Sequence, residues 1–128
     1  MPSDQFNRVE KLTGECEQWR EIGAKDNPSF TNSWANVGAP YNNVAFYKDK
    51  FNRVWLRGVM DSGASTNAAF TLPAGYRPDG TIGFVTWQTS GGPGPGGQAS
   101  ITITSAGVLT PTFSGGADIG LDGISWRV

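Results

Sequence analysis

The 128-residue chain contains no histidine, and its single cysteine is Cys16. The commonest general base and the commonest transition-metal ligand are therefore both missing. One thiol can neither close a disulfide nor build a zinc site, so no metal centre is expected and Cys16 reads as a small apolar residue. Charge is scarce as well: Asp, Glu, Lys and Arg together make up 16% of the chain, for a net charge of −1. With no basic patch to neutralise phosphates, a nucleic-acid partner is not expected. No apolar run reaches the length needed to cross a bilayer, which argues against membrane insertion. Residues 1–5 lack the basic-then-apolar layout of a signal peptide. The glycine-rich stretch 91–97 has no following Lys-Ser/Thr and opens no helix, so it is no phosphate loop, and no dinucleotide fingerprint occurs elsewhere. No cofactor is implied.

What the chain has in quantity is turn and strand material. There are 18 glycines and 8 prolines, and 12% of the residues are aromatic, five of them Trp. A chain of this length buries roughly two-thirds of its extended surface, enough for one core.

The first stretch stands apart. Between Asp4 and Glu17 there is no proline, only Gly14 as glycine, and a high density of charge. Val9, Leu12, Cys16 and Trp19 alternate at spacings of three and four, the pattern of a coiled-coil seam. Residues 1–18 are thus expected to form a short helix, either the last turns of a stalk or an amphipathic helix packed on its own domain. Asp4 would cap it, and Gly14 would weaken it by about 1 kcal/mol.

From Trp19 on, short runs of period two take over. Residues 18–22 alternate loosely. Residues 44–48 and 53–57 form a hairpin around Asp49, Lys50, Phe51 and Asn52, with Val54 and Leu56 facing the core and Arg53, Trp55 and Arg57 facing away. Residues 67–72 read as a strand stopped by Pro73, and 74–80 as a loop. Residues 82–89 put Val85 and Trp87 on one face and Ile82, Phe84 and Thr86 on the other. An exposed loop is expected at 91–97 and strands at 98–104, 108–113 and 119–128. Short strands at this spacing, joined by Gly and Pro turns, predict an all-β domain over 19–128: an antiparallel β-sandwich or a jelly-roll or barrel-like fold.

Catalytic chemistry would have to come from carboxylates. Asp61, Asp79, Asp118 and Asp122 lie in expected loops, where aspartates ordinarily hydrogen-bond their own backbone. A glycosidase would need two of them to converge, and Asp118 with Asp122 falls short of the acidic density of a calcium loop.

Four stretches together resemble the C-terminal tip domain of phage tail-fibre and baseplate receptor-binding proteins, including those of siphophages of Gram-positive bacteria. The first is Trp19-Arg20-Glu21-Ile22-Gly23-Ala24 with Pro28-Ser29-Phe30-Thr31-Asn32-Ser33-Trp34. The second is Ala45-Phe46-Tyr47-Lys48-Asp49-Lys50-Phe51-Asn52-Arg53-Val54-Trp55-Leu56-Arg57-Gly58. The third is Phe70-Thr71-Leu72-Pro73-Ala74-Gly75-Tyr76-Arg77-Pro78, and the last Leu121-Asp122-Gly123-Ile124-Ser125-Trp126. Two positions depart from the family pattern: Asn52 stands where Gly is common, and Trp55 where a smaller or polar residue is common.

The resemblance implies a homotrimer, an upstream helix that ends its stalk, and a tip that binds a host-surface polysaccharide or other glycan without turning it over. It implies a place in the virion tail or baseplate, reached after synthesis in the host cytoplasm. A structural trimerisation cap and a polysaccharide hydrolase are the alternatives. A sugar site needs an aromatic face beside planar polar groups. The candidates are Trp87 with Gln88, then Tyr41 with Asn42 and Asn43, then Trp55 with Arg53 and Arg57. Trp87 has a competing reading as core, and Trp55 with its arginines as a subunit interface.

Overall fold

The computed structural model describes residues 17–89, 97–114 and 118–128. Among them the fold is all-β, with eleven strands and no helix, arranged as two antiparallel sheets that sandwich one core. The helix expected over 1–18, with Val9, Leu12 and Cys16, lies outside the described residues apart from Glu17 and Gln18. Glu17, Gln18 and Trp19 themselves are irregular chain. Most of the expected 91–97 loop also lies outside them; Gly97 opens a strand.

The smaller sheet has the order β1 (Arg20–Glu21), β3 (Ala45–Lys48), β4 (Arg53–Arg57) and β11 (Ser125–Arg127). Its centre is the expected hairpin. Asp49 is the turn's organiser: its Oδ1 accepts the backbone N–H of Phe51 at 2.8 Å and of Arg53 at 3.0 Å. Asn52 takes the left-handed conformation, with φ of 65°, which its short polar side chain tolerates better than other non-glycine residues. Gly would take the same conformation without steric cost.

The larger sheet runs β2 (Ala35–Asn36), β5 (Val59–Asp61), β10 (Ile119–Gly120), β7 (Ile82–Gln88), β8 (Gly97–Ile103), β9 (Val108–Thr112) and β6 (Phe70–Thr71). The β7–β8 pair spans seven rungs, from Ile82 opposite Ile103 to Gln88 opposite Gly97. Pro111 sits within β9 without breaking it. Its carbonyl accepts from the amide of Thr66 at 2.8 Å. A strand residue's N–H and C=O point to the same side, so the missing N–H faces the Thr66 loop and no β8–β9 rung is lost.

The two inner faces supply the core. Phe46, Val54, Leu56 and Trp126 come from the smaller sheet; Met60, Phe70, Ile101, Ile103, Leu109 and Ile119 come from the larger. Fully burying one such side chain contributes about 1.5–3 kcal/mol, and the alternation of polar residues on the outer faces follows from the two-residue repeat.

Of the four places where the chain passes between sheets, two lie side by side. After β4, Gly58 (φ 105°) carries it into β5. After β10, the turn Leu121–Ile124 with Gly123 (φ 83°) carries it back into β11. The crossings brace each other: Leu121 N–H donates to Gly58 O at 2.9 Å, and Gly58 N–H donates to Asp122 Oδ1 at 2.8 Å. Asp122 is a turn fastener here. The run expected as one strand over 119–128 is therefore two, one in each sheet.

Candidate functional site

The outer face of the smaller sheet carries a cleft of about 330 Å3, lined by Trp19, Tyr47, Trp55, Leu56, Arg57 and Gly123. Register builds it. Tyr47 is paired with Trp55, and Trp55 with Ser125, so one rung crosses the sheet as Tyr47–Trp55–Ser125. The next rung holds Glu21, Ala45 and Arg57. Side chains on one rung stand on one face, and that face points away from the core, since the intervening Phe46, Val54, Leu56 and Trp126 are all buried.

Trp19 closes one side. It meets Tyr47 edge-on, with centroids 4.6 Å apart and planes at 67°. The guanidinium of Arg57 lies over the same indole, 4.6 Å from its centroid. The residue placed last in the stalk seam thus packs on the sheet.

The floor is rigid because its polar tips are tied down. Trp55 Nε1 donates to Asp49 Oδ2 at 3.0 Å, and Arg53 Nη1 donates to Ser125 Oγ at 2.9 Å. Burial pushes the Asp49 carboxyl up, but the indole N–H, the amides of Arg53 and Phe51, and the Arg53 charge outweigh that and hold it below the usual carboxylate value. Arg57 is different. Its Nε is buried and has no hydrogen-bond partner.

A second aromatic group lies on the larger sheet. Tyr41 and Trp87 approach with centroids 6.1 Å apart, and Tyr41 follows a cis Ala39–Pro40 peptide. The Trp87 indole presses on the backbone of Gly120, where an added Cβ would come within 2.3 Å of its Cε2 and Nε1. Val85, on the same face, is 71% exposed, so this is the solvent side of β7. Gln88, one residue on, faces the other way. It is 4% exposed, and its Nε2 donates to Ser114 O at 2.9 Å. Asn42 and Asn43 are exposed; Asn43 Nδ2 donates to Glu21 Oε1 at 3.2 Å.

The structure therefore gathers Trp55 with Arg57, gathers Tyr41 with Trp87, and sends Gln88 inward. The sequence reading assigned no role to Tyr47 and placed Trp19 elsewhere. Tyr47 was findable only from register, because it reaches the cleft from the neighbouring strand β3, and Trp19 comes from the irregular chain just before β1. Tyr76 is buried: its hydroxyl accepts from Arg20 Nη1 at 2.7 Å and donates to Glu17 Oε1, and its ring meets Phe46.

The aspartates do not collect in the cleft. Asp122 is bound to Gly58, while Asp118 is raised above its ordinary value, by burial first and then by the nearby charge of Asp61. Among the described residues no group of three or more potential ligands is placed to hold a metal ion, and no helix is long and apolar enough to cross a membrane.

No protein-family model matches this chain, and no curated protein matches it. Among solved structures, the receptor binding protein (gp15) of Listeria phage PSA is similar, with a TM-score of 0.69. The likeness covers 97% of this chain and 71% of that one at 20% sequence identity, and it is a likeness of fold.

Proposed function

We propose that this chain is the receptor-binding tip of a phage tail, and that it binds a host-surface saccharide through the cleft on its smaller sheet without cleaving it. The observation that carries this is the cleft itself: three aromatic faces, Trp19, Tyr47 and Trp55, converge beside one guanidinium. Aromatic faces take the apolar C–H side of a sugar ring, and a planar polar group takes its hydroxyls. The likeness in fold to a phage receptor binding protein supports the reading, as do the tail-fibre-like motifs in the sequence. Binding without turnover fits a cleft lined by no carboxylate among the described residues.

The resemblance adds a homotrimer on a helical stalk, carried at the end of the virion tail. The outer face of β7–β8–β9 suits contact between copies: Gly83, Val85, Gln98, Ser100, Thr102, Thr110 and Thr112 share it and bring no charge to it. Identical surfaces meet around a symmetry axis, where any charge would oppose its own copies.

The test is adsorption of the purified chain to candidate host cells and to their extracted polysaccharide, alongside Trp55→Ala and Trp87→Ala. Saturable binding lost in Trp55→Ala and kept in Trp87→Ala supports the cleft. The reverse pattern moves the site to the Tyr41–Trp87 surface. Absence of binding by a folded protein across hosts leaves the structural cap as the better account.

A further inference from the structure

Arg57 is the one charged residue among those lining the cleft. The other charged groups close to it on this face are engaged, and Arg127, opposite Arg53 on the edge strand β11, is exposed to solvent outside the cleft. Asp49 accepts from two backbone amides and from the Trp55 indole. Arg53 donates to Ser125, and Glu21 accepts from Asn43. The Arg57 side chain makes no hydrogen bond or ion pair with any described residue; its Nε is buried and unmatched, and what holds the head group is the face of Trp19. Its rung partner, Ala45, brings no charge.

A guanidinium stacked by one face keeps its in-plane donors for another group, and a fork of that shape fits two coplanar oxygens. Burial decides which kind. When a ligand fills the cleft it strips water from Arg57. A neutral sugar would leave that cation covered and uncompensated, which is costly; a ligand oxyanion supplies the opposite charge and satisfies the orphaned donor.

Resting on the reading of the cleft as a saccharide site, we infer that the sugar unit it takes carries an oxyanion, a phosphate or a carboxylate, received by the Arg57 guanidinium. The aromatic residues hold the ring and Arg57 reads the acid.

The experiment is calorimetric titration of the full chain with surface polysaccharide from a strain to which it adsorbs, in three preparations. One is untreated, one is dephosphorylated with hydrofluoric acid, and one has its carboxyl groups reduced. Removing the right group lowers the affinity by about tenfold or more, the loss expected for a charge-assisted hydrogen bond, and which treatment does so tells phosphate from carboxylate. Arg57→Gln lowers affinity for the untreated polymer by a similar factor and has little effect on the stripped one. Comparing both proteins on the same preparation cancels any change in polymer length. Arg57→Lys, which keeps the charge, carries the test if Arg57→Gln is misfolded by its melting curve, and it retains part of the discrimination. Arg127→Gln, outside the cleft on the neighbouring rung, leaves the affinity unchanged. If neither treatment matters while Trp55→Ala still abolishes binding, the saccharide reading stands and the acid is refuted. An equal loss for Arg57→Gln on stripped and untreated polymer refutes it as well. If the untreated polysaccharide does not bind at all, the underlying reading fails and this inference with it.

Discussion

Trp55 Nε1 donates to Asp49 Oδ2 at 3.0 Å, so the carboxylate that shapes the β3–β4 turn also orients the floor of the cleft. Turn and site share one side chain.

Replacing Asp49 with Ala removes the acceptor of two amides and one indole together. The expected cost is about 2 kcal/mol, the scale for losing bonds to a charged group at a partly solvated site. Urea unfolding gives the energy. Near-ultraviolet circular dichroism separately shows whether Trp55 has lost its fixed orientation.

The same carboxylate makes stability pH-dependent with a definite sign. The folded value of Asp49 lies below its ordinary 3.8. Its contribution is therefore present above the unfolded value and is lost as pH falls through the folded one. In unfolding titrations between about pH 6 and pH 3, the advantage of the wild type over Asp49→Asn shrinks on the acid side. A constant difference across that window would refute the assignment.

Gly120→Ala places a methyl where the Trp87 indole lies, 2.3 Å from its nearest ring atoms. Ring or backbone must move, at roughly 1–3 kcal/mol for overpacking, and Trp87 fluorescence reports the shift. Saccharide binding survives if the cleft on the other sheet is the site.

Asp118 runs the opposite way from Asp49. Burial and the Asp61 charge raise its folded value. Its charged form therefore costs stability at neutral pH, and that cost disappears as pH falls. Asp118→Asn is expected to stabilise the protein by roughly 0.5 kcal/mol at neutral pH, the scale of a like-charge pair relieved near solvent. The gain vanishes at acid pH, as thermal melts at two pH values will show.

The sequence exposed what alternation controls. The hairpin, its core-facing Val54 and Leu56 and its outward Arg53, Trp55 and Arg57 were legible, and so were β7, β8 and β9. What escaped was set by single residues. In the run Arg53 to Asp61, one glycine moves the chain from sheet to sheet, and the alternation from Arg53 to Arg57 gives no notice of that change. Asp122 and Gly123 hide a second crossing in the same way. Tyr47 escaped through register. A four-residue loop would set Lys48 opposite Arg53 and leave Tyr47 across from Val54, on the core side. Instead Asp49 N–H donates to Arg53 O at 2.9 Å, a shift of one position that brings Tyr47 opposite Trp55. In a sheet, one position exchanges the two faces. Gln88 fell inward for the same reason: adjacency in sequence to Trp87 guarantees the opposite side.

The double crossing also bears on the order of assembly. Arg53 and Ser125 meet across β4 and β11 from 72 positions apart in the chain, and all of β5 to β10 lies between them. During synthesis from the ribosome, β4 must wait with one edge unpaired while the strands of the larger sheet emerge, and Gly123 reaches the cleft only after β10 has been made. Closing so long a loop is slow compared with forming a hairpin. A nascent chain therefore completes the Tyr47–Trp55–Ser125 rung, and with it the cleft proposed to take a saccharide, only after every strand from β5 to β10 has emerged.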